Sequence, residues 1–391
     1  MSTAGQPLAA GPQPRAAAGR AAPPEADGAG LRTIRLCLLG FGSVARAFCA
    51  LLAQQERVLA ERHGLRVLVT AAGARHGSLL APQGMTPAAV LAAVGERPAP
   101  PQAARPAADL LSASRADVLV ELTVMEEGFA PVATGHIEAA FGLGMDVVTA
   151  NKGPIAWNWR RVSTAAAAAG RRIRFESTVM DGLPVFSLLE LALPDCRLLG
   201  FEAVFNATTN YIIDAMGIGR SFDEALAHVQ AEGYAEADPA HDIDGWDAAC
   251  KAAALANVAM DAGVTPADID KQSLRDVPLK RIAQARSNGN RLRLVTTVWR
   301  ETPDGVAPEA GAASPAGPVR GHVRATELDI DHPLAPVGGE SLGAILHTDL
   351  MADVFVCEIA GLVPQTAYGV YADLLHPVSY THLTLPTKRI V

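Results

Sequence analysis

Cysteine is scarce and unpaired in this sequence. The five in 391 residues, Cys37, Cys49, Cys196, Cys250 and Cys357, lie far apart and never form a C-x-x-C. Odd in number and scattered, they exclude a disulfide frame and a zinc site. They read as small buried hydrophobes in a reducing cytosol, so a cytoplasmic protein is expected. No Lys/Arg cluster stands out either, and 33 basic against 41 acidic residues leave a net charge of −8. A grip on polyphosphate backbones needs a positive field, which excludes nucleic acid as a partner. No apolar run of about 18 residues is free of charges and breakers, so no membrane span is expected. A secretory apolar stretch and an internal repeat are missing as well.

Bulky side chains are nearly absent from the N-terminus. Residues 1–30 are two-thirds Ala, Gly and Pro, with Leu8 the one bulky aliphatic residue. Such a segment cannot bury enough surface to offset its ordering entropy, and a disordered tail is expected.

From Leu31 onward the chain is long enough for two domains. Segment 34–39 reads as an apolar strand stopped by Gly40. A helical pattern runs through Val44, Phe48, Leu51 and Leu52 to Gly64, and 65–71 is again a strand. Helix 85–94, strand 117–122, helix 136–143 and strand 145–149 continue the alternation. This order predicts an α/β fold with a Rossmann-type, doubly wound domain over 31–155. The texture changes after that. Helix 157–169, strand 172–175, a helix from Pro184 to Leu193, strand 198–205 and helical stretches within 212–262 lead to strands 292–300 and 319–328. These two flank an Ala/Gly/Pro-rich insertion, 302–317, and a second, α+β domain over 156–340 is expected.

Five motifs carry chemistry. Gly40-Phe41-Gly42-Ser43-Val44-Ala45 is a G-x-G-x-x-A between strand and helix, where glycine allows a tight turn and lets backbone approach a pyrophosphate. After the second strand the residues are Ala74-Arg75-His76, with no acid for a ribose 2′-hydroxyl. A guanidinium there favours a 2′-phosphate and hence NADP, although Arg75 is also readable as a solvated loop residue and NAD stays open. Thr149-Ala150-Asn151-Lys152 ends a parallel strand, the edge at which ligands sit in such sheets. Its lysine suits a phosphate, a substrate carboxylate, a reacting oxygen, or merely the surface.

The third motif is the richest. Five carboxylates, Glu236, Asp238, Asp242, Asp244 and Asp247, fall within 12 residues ahead of an Ala-rich helix. Their spacing is not that of an EF-hand, and helix capping accounts for one or two of them. Asp247 and Lys251 stand four apart, on one helical face. A substrate ammonium held by carboxylates, beside a lysine that exchanges a proton, fits the set better. Asn206-Ala207-Thr208-Thr209-Asn210-Tyr211 suits a small polar ligand or a turn, and Gly182-Leu183-Pro184 is a helix start signal.

In content and order these motifs resemble homoserine dehydrogenase, from about Ile34 to Leu375. Thr-Ala-Asn-Lys, Thr-Thr-Asn-Tyr-Ile, and Gly-Tyr-Ala-Glu-Ala-Asp-Pro followed by Asp-x-x-Gly-x-Asp-x-x-x-Lys carry the likeness most specifically. The resemblance implies NAD(P)-dependent interconversion of L-homoserine and L-aspartate 4-semialdehyde, in the threonine and methionine pathway. It implies Lys251 as proton donor and acceptor, and Glu236, Asp247 and Lys152 as substrate contacts. Cofactor contacts would fall at Gly40, Phe41, Gly42, Ser43, Val44, Arg75, Thr123, Lys152 and Gly361. A monovalent cation, Na⁺ or K⁺, would rest on oxygens of Glu176, Val179, Asp181 and Leu183. Segment 341–375 would return to the nucleotide domain, and 156–340 would hold substrate and form a homodimer. Three departures stand out. Ala45 replaces the third glycine, Asn206-Ala207 replaces Asn-Gly, and the tail at 376–391 is foreign to the family. Without the appended regulatory ACT domain of longer relatives, threonine feedback through such a domain is not expected.

A nucleotide-sensing protein that lost its chemistry, and a dehydrogenase of another amino-acid-derived aldehyde, are the rival readings. The first gives no reason to keep an acid beside a lysine. The second is separated by assaying a panel of aldehydes.

Overall fold

The computed structural model describes residues 30–126, 128–232, 235, 238–301 and 317–379. The expected N-terminal tail, nearly all of the 302–317 insertion, Glu236 and the chain from 380 onward lie outside these residues.

Among the described residues twelve strands form two sheets. The first holds β1 (Arg32–Leu39), β2 (Leu65–Ala74), β3 (Gly77–Met85), β4 (Val118–Glu121), β5 (Asp146–Thr149) and β6 (Ile173–Arg174), in the order β3-β2-β1-β4-β5-β6. All pairs are parallel except β2–β3. Central β1 is apolar on both faces because helices cover both. Ile34, Leu36 and Leu38 pack with Phe48 and Leu52 of helix Ser43–Gln54, while Cys37 and Leu39 pack with Ile137 and Phe141 of helix Pro131–Gly142. The result is the doubly wound half that alternating strands and helices demand.

Strand β3 is not foreshadowed by the sequence, since its Pro82 and Gly84 read as turn residues. It is an edge strand, where a missing N–H donor costs nothing. Helix Ala107–Ser114 was likewise hidden, behind a Pro-rich connection.

The second sheet holds β7 (Leu198–Val204), β8 (Asp270–Lys271), β9 (Arg291–Arg300), β10 (Val319–Leu328), β11 (Leu342–Thr348) and β12 (Asp353–Glu358), ordered β12-β11-β7-β9-β10-β8. Its inner face, with Phe201, Leu294, Val298, Val323 and Leu346, packs on helix Trp246–Ala259. That helix is lined with buried Ala248, Ala249, Ala252, Ala253 and Ala256, so backbone of sheet and of helix Lys152–Ala169 can approach closely.

The C-terminal segment divides between the two halves. Where the whole of 341–375 was expected to return to the nucleotide domain, β11 pairs with β7 and β12 with β11, both in the second sheet. Only helix Val363–Ser379 crosses back, placing Ala367, Val370, Tyr371 and Leu374 in the core with Phe41 and Phe48. The continuous buried run Leu342–Leu346 makes β11 a better sheet member than a linker. The helix expected from Pro184 to Leu193 is present over 185–192, as one α-turn, Val185–Ser187, that widens into a π-helix, Leu188–Ala192.

The close helical contact sets one expectation. Ala253→Leu adds volume where no space exists and should cost about 1–3 kcal/mol, read as a lowered Tm.

Candidate active site

The strand β1 ends in a turn that only glycine can make. Gly40 has φ +92°, and a Cβ there would lie 2.3 Å from the Leu122 carbonyl. Its N–H and that of Phe41 both donate to the Gly73 carbonyl, at 2.8 and 3.2 Å. Gly42 then caps helix Ser43–Gln54 without any side-chain acceptor, and a Cβ on it would meet open space. Exposed helix N–H groups beside a bare glycine suit the pyrophosphate of a dinucleotide. The ring of Phe41 points inward beneath the Arg46 guanidinium, 5.6 Å from its centroid. Arg75 is exposed on the turn between β2 and β3.

The ends of β4 and β5 bring up the next groups. Asn151 accepts the Gly153 N–H at 2.9 Å and so caps helix Lys152–Ala169. Lys152 is thereby the first residue of that helix, and its Nζ lies 2.9 Å from Oδ1 of Asp247.

Asp247 comes from the other domain. Gly245, with φ +75°, turns the chain into helix Trp246–Ala259, and Lys251 follows one turn after Asp247. Lys251 Nζ is 3.2 Å from Asp247 Oδ2 and donates to the Phe205 carbonyl at 2.6 Å. Asn206, the cap of helix Ala207–Gly217, donates its amide to Asp247 at 3.0 Å and to Asp242 at 2.8 Å. One buried carboxylate therefore joins two lysines and an amide. Burial alone would raise its pKa, but Lys152 and Lys251 outweigh that and hold Asp247 well below the usual carboxylate range. Burial likewise opposes the charge on Lys152, and Asp247 overrides it, so the Lys152 pKa is raised. Asp242 is pushed up, first by burial and then by the charge of Asp247.

Of the residues singled out in the sequence, Lys152, Asp247 and Lys251 thus converge. The Asn206-Ala207 departure leaves the capping side chain in place. Thr123 lies two residues past the end of β4, where its hydroxyl and carbonyl both meet the Asn151 amide. Gly361 packs elsewhere: its N–H donates to the Glu340 carbonyl, and a Cβ on it would fall 2.4 Å from Asp181 Oδ2.

Segment 176–183 is a short 3₁₀ turn followed by an inverted residue, Asp181, with φ +46°. The Glu176 carboxylate is fully engaged, accepting the N–H groups of Phe186 and Ser187 and the Ser187 hydroxyl. Among the described residues no group of three His, Cys, Asp or Glu side chains could hold a metal.

One buried acid near the site was not singled out in the sequence. Glu358 ends β12, beside a cavity of about 410 Å³ bounded by Gly182, Leu183 and Gln365. Its carboxylate takes the Gly182 N–H and feels the charges of Asp181 and Lys251. No motif surrounds it, and only the pairing of β11 with β12 delivers it there.

Two family profiles match the chain in succession. One, described as "Homoserine dehydrogenase", matches residues 184–375, and one described as its NAD binding domain matches 40–176. A homoserine dehydrogenase of Mycobacterium leprae is 30% identical over 352 residues, covering 88% of this chain and 72% of that one. This chain belongs to the homoserine dehydrogenase family. It is an NAD(P)-dependent oxidoreductase acting on a CH–OH group. An NAD(+)-dependent homoserine dehydrogenase of Pseudomonas canavaninivorans is 29% identical over 88% of this chain and 95% of its own. Among solved structures, the homoserine dehydrogenase of Thermoplasma acidophilum aligns with a TM-score of 0.73 at 25% identity, over 88% of this chain and 99% of that one. A hyperthermophilic archaeal homoserine dehydrogenase in complex with NADPH aligns with a TM-score of 0.72 at 26% identity, over 88% and 97%.

Glu358 sets an expectation for the pH dependence of stability. Burial, then the charge of Asp181, push its carboxyl up to about 7. A carboxyl raised in the folded state favours folding while protonated, and that contribution is lost as pH rises from the ordinary value near 4.3 through 7. Glu358→Gln, locked neutral, should therefore raise Tm at pH 8 by more than at pH 5, as thermal melts at the two pH values would show.

Proposed function

We propose that Lys251 exchanges the proton at the substrate oxygen of homoserine and aspartate semialdehyde, with Asp247 holding it in place. The observation that carries this reading is Asp247 shared between Lys152 Nζ at 2.9 Å and Lys251 Nζ at 3.2 Å. The nicotinamide, when bound, supplies or accepts the hydride. Lys251 faces the alkoxide that develops as hydride arrives, and donates to it. The Phe205 carbonyl and Asp247 fix its direction, so little reorganisation is needed at the moment of reaction. Lys152, reaching from the nucleotide half to the same carboxylate, lies between cofactor and substrate. Asp242 and Asp247 form the acidic wall that suits a substrate ammonium, with Glu236 as the third acid in this reading. Lys251→Ala should leave dinucleotide binding nearly intact, followed by NADPH fluorescence, and lower kcat by roughly 10² or more. Unchanged turnover would remove the role.

Cofactor choice, ion, assembly and compartment belong to the same proposal. NADP is preferred, on the strength of Arg75 at the turn after β2 with no acid beside it. An NADPH-bound relative supports this and an NAD(+)-dependent one leaves NAD as a second cofactor. Arg75→Ala should raise KM for NADPH about tenfold, the loss of one charge-assisted contact, with KM for NADH unchanged. A monovalent cation such as Na⁺ or K⁺ rests on main-chain oxygens of Glu176, Val179, Asp181 and Leu183; carbonyl oxygens suit a hard ion, and the Asp181 inversion bends the segment. A homodimer forms through the second sheet, where the β11–β12 hairpin exposes Leu350, Met351 and Phe355. No helix among the described residues is long and apolar enough to cross a membrane. Five free cysteines, with the thiols of Cys37, Cys49 and Cys250 pushed by burial up to about 12, support a reducing, cytoplasmic setting.

A further inference from the structure

Beneath the cleft lies a charged residue that the reaction does not use. Glu121, the last residue of β4, is fully buried. A carboxylate in that position is costly unless its oxygens are satisfied. Oε1 accepts the Thr123 N–H at 3.3 Å and the Thr123 hydroxyl. Oε2 lies 3.4 Å from the Thr149 hydroxyl, which itself donates to the Glu121 carbonyl at 3.0 Å. His136 Nδ1 stands 3.5 Å from Oε1.

These bonds lead to both halves of the site. Leu122 and the Thr123 N–H form the surface against which Gly40 is packed too tightly for any Cβ. On the other side, Asn151 donates its amide to the Thr123 carbonyl at 3.0 Å and to the Thr123 hydroxyl at 3.3 Å. Its N–H donates to the Thr149 hydroxyl at 3.0 Å. The remaining oxygen of the Asn151 amide caps the helix that begins with Lys152.

We propose that Glu121 is a positioning residue: its buried carboxylate fixes Thr123 and, through Asn151, sets where Lys152 meets Asp247. The glycine turn and the lysine are thereby referred to one anchor. This rests on the reading of Lys152, Asp247 and Lys251 as the reacting site. Positioning errors near 1 Å can cost about 10²-fold in rate, which gives such an anchor kinetic weight.

The test compares two substitutions of similar volume in the full chain. Glu121→Gln keeps an acceptor at Oε1 for both Thr123 donors, whereas Glu121→Met keeps only bulk. Glu121→Gln should retain kcat within about threefold, while Glu121→Met should lower it about tenfold or more, with KM for homoserine moving less. The loss must vanish in an Asn151→Ala background, because the two residues act in series. Equal kinetics for the Gln and Met variants would overturn the proposal, and so would losses that multiply in the double variant. Should Glu121→Met fail to fold, Thr123→Val breaks the same chain at the hydroxyl and must reproduce the loss. Lys152→Ala and Lys251→Ala run alongside: if these keep full turnover the reading of the site fails, whereas a crippled Lys251→Ala beside a fully active Glu121→Met sinks the anchor alone.

Discussion

The site depends on a single carboxylate held between two ammonium groups that come from different halves of the fold. At separations near 3 Å, in a region from which water is largely excluded, each Asp247–lysine attraction is far stronger than the same pair would be at a surface. Removing one partner from such a set leaves buried charge uncompensated, which is why so much neighbouring structure converges on it. The Asn206 amide is aimed at the same carboxylate, and the Phe205 carbonyl takes up a further donor of Lys251. Asp247 is thus a geometric reference as well as a charge, and the lysines are placed by it in relation to each other.

Because Lys152 belongs to the nucleotide half and Asp247 to the second, the same bond also joins two separately cored units. The first half has apolar clusters on both faces of its sheet; the second has its own around the Ala-rich helix. A hydride moves over a short distance, so a cofactor bound to one half and a substrate bound to the other must be held in register. Helix Lys152–Ala169 serves this by packing on both helix Pro131–Gly142 and helix Trp246–Ala259.

Much of this was legible in the residues themselves. Periodicity located β1, β2, β4 and β5 because they are buried on both faces, and the G-x-G-x-x-A motif is tied to a turn whose sterics exclude other residues. The i, i+4 spacing of Asp247 and Lys251 placed them on one face without knowledge of anything else. The remainder depended on contacts between distant segments. Lys152 could have faced solvent, phosphate or substrate, and only the approach of the second domain gives it Asp247. Glu121 read as one polar residue at the end of an apolar run, and its partners lie on three different elements. Glu358 reaches its cavity beside Gly182 through strand pairing that local pattern cannot express. Strand β3 was obscured because the edge of a sheet accepts the glycine and proline that elsewhere break one.

The return of helix Val363–Ser379 to the first core bears on how this molecule is made. Its Val370 and Leu374 fill space beside Phe48, a residue synthesised more than three hundred positions earlier. The apolar face along helix Ser43–Gln54 therefore stays uncovered until residues 363–379 have been made. Most proteins assemble domain by domain from the N-terminus. Here the second unit can finish first, and its completion delivers the piece that closes the one begun before it.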